Sequence, residues 1–154
     1  MEQSQAQIER STPASGKKML EVRDLVTQFR TERGIARAVN GVSFNVYENE
    51  VLGIVGESGS GKSVTALSIM RLIPNPPGLI AGGSIKLDGE ELLELPIETM
   101  RERRGNDIGM IFQEPMTSLN PVYTIGYQMR EGIMLHQGVD QDAANIKAAE
   151  MLDL

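Results

Sequence analysis

The chain has 154 residues, 40% of them hydrophobic and only 4% aromatic, with 15 basic against 21 acidic residues and a net charge of -6. That is enough for one aliphatic core or part of a larger one, while the acidic balance argues against a nucleic-acid role, whose affinity comes from neutralising phosphates. The lack of cysteine excludes disulfides and thiolate-held metals, no apolar run approaches the roughly 18 residues of a membrane span, and the N-terminus has no apolar centre of a secretory signal.

Residues 1–18 (MEQSQAQIERSTPASGKK) are polar, contain Pro13 and Gly16, and are expected to form a disordered tail. From Met19 the pattern changes. MLEVRDLVTQF reads as a strand, residues 30–34 as a turn, and the alternation from Val42 as a second, half-buried strand. VLGIV at 51–55 is a continuous apolar run, which predicts a strand covered on both faces as in a parallel sheet. A helix is predicted over KSVTALSIMRLI, with Val64, Leu67 and Met70 on one face and Pro74, Pro76, Pro77 and Gly78 closing it.

SIKLDG at 84–89 reads as a short strand and a turn, with Glu90, Glu91 and Glu94 as a solvated acidic edge. Pro96 opens a short helix that Gly105 stops. DIGMIFQ at 107–113 predicts another buried strand, broken by Glu114 and Pro115. Ile125, Met129, Ile133 and His136 fall at helical spacing. After Gly138, Asp140 is placed to cap a last helix with Ile146, Ala149 and Leu152 on one side.

The chemistry lies in GESGSGKS at 56–63, which fits GxxxxGK[ST], the phosphate-loop or Walker A pattern. Gly56 and Gly61 allow tight turns and close approach of main chain to phosphate. The backbone N–H groups of Glu57, Ser58, Gly59 and Ser60, with those of Gly61 through Val64, are expected to line an anion cradle. A helix N-terminus behind the loop favours the same anion. Lys62 is expected to reach the outer phosphates, and the Ser63 hydroxyl to ligate Mg²⁺. The predicted ligand is a nucleoside triphosphate, ATP with Mg²⁺. A chance match in a chain of this composition is on the order of 0.5%.

Three phrases carry a resemblance: AVNGVSFNV, VLGIVGESGSGKSVTALSIMRLIP and IGMIFQEPMTSLNPVYTIGYQ. With them, residues 19–154 resemble the N-terminal part of an ABC-transporter nucleotide-binding subunit, in particular the D-type ATPase of oligopeptide and dipeptide importers. The resemblance implies an α/β fold: a phosphate-loop core, an N-terminal antiparallel β-part, and the start of a helical subdomain near residue 122. It gives Phe29 the aromatic position that stacks adenine, against the plainer reading of a strand-end core residue. It makes Gln113 the Q-loop glutamine, a catalytic-site amide and Mg²⁺ ligand, and puts Glu114 and residues 116–121 near a partner interface. The implied partners are a second ATPase subunit, transmembrane permease subunits and, indirectly, an external solute-binding protein. The implied location is peripheral, on the cytoplasmic face of the inner membrane. The transported solute never touches such a subunit, so its identity stays open.

The family's LSGGQ signature, its Walker B strand ending in Asp-Glu and its switch histidine do not occur in this sequence, and His136 reads as part of a helix face. Phosphoryl transfer depends on such positioned groups. The chain therefore reads as an N-terminal fragment, an incomplete domain that holds nucleotide with little turnover. Two other readings stay open: an inactive nucleotide-binding fragment, and a soluble phosphate-loop NTPase unconnected to transport.

Overall fold

The computed structural model describes residues 7–10, 16–113 and 118–153. Their strands and helices fall into two compact units, the first ending at Pro96 and the second beginning at Ile97.

The first unit is organised by a hairpin. Lys18–Thr31 (β2) and Gly34–Tyr47 (β3) pair antiparallel, and Thr31 Oγ1 donates to the Gly34 carbonyl at 2.8 Å across the turn. Gly78–Leu87 (β5) joins the other side of β2, and Glu90–Glu91 (β6) returns beside it, giving a four-stranded sheet in the order β3-β2-β5-β6. The connection Asp88-Gly89 has positive φ at both residues, 48° and 87°, the geometry of the tightest hairpin turn, whose twist matches that of the strands. β5 begins earlier than the strand expected from SIKLDG, because pairing with β2 extends it back to Gly78.

Register lines up the core. Val22 on β2 faces Phe44 on β3 and Ile85 on β5, so a row of buried side chains crosses three strands. Burying each is worth roughly 1.5–3 kcal/mol. Leu25 and Leu92 likewise have no exposed surface.

Leu52–Val55 (β4) precedes the glycine-rich loop, and Lys62–Ile69 (α1) follows it. β4 departs from expectation. Its one neighbour among the described residues is the antiparallel Gln7–Arg10 (β1), and it is not covered on both faces: Val51 is 74% and Val55 42% exposed. A strand edge offers unpaired N–H and C=O groups, and residues 7–10, expected to lie in a tail, take that edge from Gln7 opposite Val55 to Arg10 opposite Leu52.

The second unit is helical: Ile97–Arg103 (α2), Ile125–Gln137 (α3) and Gln141–Leu152 (α4). Thr124 caps α3 by accepting from the Tyr127 N–H at 3.3 Å, and Asp140 caps α4 through the Ala143 N–H at 2.9 Å. Gly138, at φ 62°, reverses the chain between them. Ile133 packs with Ala144 and Ala148, flanked by Met129 and Val139. The inward face of α4 is thus its small alanines, and Ile146 and Leu152 point to solvent, contrary to the stripe read from sequence. Residues 107–113 form no strand: a single bridge links Arg104 to Ile108, and Ile111 is 98% exposed. A buried strand needs neighbours on both edges, and among the described residues that single bridge is the pairing seen there. No helix of the described residues is long and apolar enough to cross a membrane.

Candidate phosphate-binding site

Residues 56–61 connect the end of β4 to the start of α1. The Ser60 N–H donates to the Glu57 carbonyl at 3.2 Å, closing a turn. Gly59 and Gly61 adopt φ of 80° and 94°, where a Cβ is strained. Gly61 answers a second demand: a Cβ there would sit 2.3 Å from the carbonyl oxygen of Ala38 on β3. The loop is pressed against the hairpin at that point, and only hydrogen fits between.

α1 is fixed at both ends of its first turn and in its middle. The Thr65 N–H and Oγ1 both donate to the Gly61 carbonyl, at 2.8 and 2.9 Å. Ser68 Oγ donates to the Val64 carbonyl at 2.6 Å and lies 2.8 Å from Thr27 Oγ1 of β2. Thr27, Thr65 and Ser68 are buried, so hydroxyls carry much of the contact between helix and sheet. Sequence periodicity puts Val64, Leu67 and Met70 on one face of the helix. Of these Met70 is buried, while Val64 and Leu67 are half-covered. Buried hydroxyls escape a search for apolar stripes, yet are tolerated once hydrogen-bonded.

The Lys62 ammonium folds back over the loop. It donates to the carbonyls of Gly56 at 2.6 Å and Glu57 at 2.8 Å, with Ser60 Oγ at 3.5 Å. No acidic side chain occupies the first turn of α1, so the positive end of the helix is left to an external anion. Ser63, next along the helix, is exposed. Backbone amides, a helix terminus, one ammonium and one hydroxyl thus share a single turn of chain, an arrangement suited to a polyphosphate.

Other predicted residues lie elsewhere. Phe29 is half-buried on β2, and a Cβ on its partner Gly78 would come within 2.9 Å of its Cε1, so the ring packs over that glycine. Gln113 is exposed and belongs to the second unit. Glu114 and residues 116–117 lie outside the described residues. His136 packs over Gly105, whose added Cβ would fall 2.7 Å from His136 Nε2. Glu91 is not simply solvated. Its carboxylate accepts from the Ser84 hydroxyl and from the N–H groups of Ile85 at 2.9 Å and Leu93 at 3.3 Å.

A model of the ABC transporter family matches residues 39–153. The chain is 54% identical over 136 residues to a probable peptide ABC transporter ATP-binding protein, y4tR, of Sinorhizobium fredii, covering 88% of this chain and 41% of that protein. It is 47% identical over 137 residues to the oligopeptide transport ATP-binding protein OppD of Bacillus subtilis, covering 89% and 38%. Among solved structures, the dimeric bacterial ABC transporter cassette MJ0796 shares its fold with a TM-score of 0.71 at 21% identity, over 88% of this chain and 56% of that one. The chain spans about two fifths of the length of the curated relatives it matches.

Proposed function

The chain belongs to the ABC transporter family, and on that premise we propose that it is the nucleotide-holding part of an ATP-binding subunit of a peptide importer. That subunit couples ATP binding and hydrolysis to import of peptides or related small solutes through a membrane complex. The supporting observation is the Lys62 ammonium turned over the Gly56 and Glu57 carbonyls at the head of α1. A cation already aimed into a ring of backbone polar groups needs only to exchange carbonyl oxygens for phosphate oxygens.

The residues present fit a magnesium nucleotide. Mg²⁺ keeps several waters and takes few protein ligands beside the substrate phosphates. Ser63 would supply one hydroxyl, and when bound the ion would neutralise developing phosphate charge. The amides of residues 57–64 would hold the phosphate oxygens, that of Ser60 after giving up its turn bond to the Glu57 carbonyl, with Lys62 as the compensating charge. Gln113 as a further Mg²⁺ ligand and Phe29 as the adenine platform are proposed from the sequence resemblance. Phe29 itself is half-buried, packed over Gly78.

Hydrolysis and transport belong to the whole protein. Its proposed partners are a second ATPase subunit and the permease subunits, with an external solute-binding protein acting indirectly, on the cytoplasmic face of the membrane. Peptide import is supported by the relatives named as peptide or oligopeptide transport proteins. A competition experiment tests the site: inorganic tripolyphosphate with Mg²⁺ should displace a fluorescent ATP analogue from the chain, whereas adenosine alone should displace little. Displacement by adenosine but not by tripolyphosphate would contradict a site built around phosphate.

A further inference from the structure

The helix behind the phosphate loop ends on a left-handed residue that is not glycine. Arg71 has φ 50°. Its N–H donates to the Ser68 carbonyl at 3.0 Å, and the Leu72 N–H donates to the Leu67 carbonyl at 2.8 Å. These paired bonds are the usual closure of a helix whose chain then turns left-handed, a position glycine dominates. Any residue with a Cβ is disfavoured there, so an arginine at this position points to a use for its side chain.

The use is visible. Arg71 Nη1 donates to the carbonyl of Leu92 at 3.0 Å and to that of Leu95 at 2.6 Å. Both carbonyls lie on the segment that leaves β6. Its beginning is anchored without Arg71: Leu92 has no exposed surface, its N–H donates to the Ile85 carbonyl at 2.7 Å, and the Glu91 carboxylate accepts from Leu93 N–H. Beyond Leu93 the anchoring passes to Arg71. Leu95 is one residue short of Pro96, where the first compact unit ends.

The geometry points to Arg71 as a positioning residue that ties the junction at Pro96 to the far end of the phosphate-loop helix, so that occupancy of the loop is felt at residues 92–97. This rests on the phosphate-binding reading above. The linkage is short and stiff. α1 has 8 residues, about 12 Å at the usual rise, with the loop at one end and Arg71 just past the other. The Thr27–Ser68 contact steadies its middle against β2. A guanidinium bonded to carbonyl oxygens is a charge-assisted tie, stronger than one between neutral groups. A shift of α1 as a rigid body therefore reaches the Leu95 carbonyl through one side chain.

Amide hydrogen exchange on the chain with and without magnesium and a non-hydrolysable ATP analogue tests this. In the parent, nucleotide should slow exchange at residues 56–63 and also change it at 92–97. Arg71→Gly, which suits the backbone and removes the tie, should keep the response at 56–63, lose it at 92–97, and leave the melting temperature unchanged or raised. Without nucleotide, exchange at 93–97 should quicken roughly fivefold or more in that variant. Arg71→Lys, which keeps a cationic donor, should restore part of the response. If Arg71→Gly does not fold, Arg71→Met, with its stem intact and no donor, makes the same comparison. A response at 92–97 that survives loss of the guanidinium overturns the tether, as does a parent that responds at 56–63 alone. A parent with no protection at 56–63 overturns the phosphate reading, and the tether falls with it.

Discussion

Gly61 and Ala38 meet backbone to backbone: a methyl group on Gly61 would stand 2.3 Å from the Ala38 carbonyl oxygen, at a φ of 94° that already excludes most side chains. The contact presses the phosphate loop onto the β2–β3 hairpin. Gly61→Ala should therefore cost stability as well as binding, at least about 2 kcal/mol from the strained backbone. Thermal unfolding should show a fall of at least about 4–8 °C. An unchanged melting temperature would mean that the loop is not seated against β3.

The buried hydroxyl pair Thr27–Ser68 fixes the helix behind the loop. Thr27→Val removes one partner while Ser68 keeps its bond to the Val64 carbonyl, so the loss should be about 1 kcal/mol. Ser68→Ala leaves the Thr27 hydroxyl buried without that partner and should cost more, about 1–3 kcal/mol. Urea midpoints of the two variants give the order directly.

Glu91 carries a pH dependence. Its partial burial opposes ionisation, but hydrogen bonds from Ser84, Ile85 N–H and Leu93 N–H, with the charge of Lys86, outweigh this and hold its pKa below the ordinary 4.5. A carboxylate more acidic in the folded than in the unfolded chain favours folding above the unfolded value. That contribution is lost as pH falls through the folded one. Glu91→Gln should flatten the loss of stability below about pH 4.5, seen in urea midpoints against pH. An identical acid limb in both proteins would contradict the assignment.

In the second unit, Asp140→Ala removes the acceptor for the Ala143 N–H. It should lower stability by about 1 kcal/mol. Asp140→Asn, which keeps a capping oxygen, should recover most of it.

The sequence made the position of the glycine-rich loop, the hairpin, the Asp140 cap and the helix order legible, because each rests on local chemistry; the Thr124 cap on α3 came only with the structure. Lys62 must follow Gly61, Asp140 caps its own helix, and Asp88-Gly89 turns on its own φ angles. What it did not reveal depends on distant neighbours. VLGIV reads as a strand covered on both faces, yet coverage is a property of what lies beside it, and among the described residues β4 pairs with β1 alone. The run at 107–113 is as apolar as a strand, but among the described residues it pairs only through the single Arg104–Ile108 bridge. The Arg71 tie spans 24 residues to Leu95 and leaves no periodic signal in the sequence. The Ala144–Ala148 face was hidden because small residues pack closely without standing out as hydrophobic.

Calorimetric titration of the chain with magnesium ATP, beside Lys62→Ala, decides whether the loop holds phosphate. The parent should give measurable binding heat with one site, and the variant an affinity at least about tenfold weaker, the loss expected when a charged hydrogen-bonding group is removed. Equal affinity in the two proteins, or no heat from a parent whose unfolding transition shows it to be folded, would contradict it.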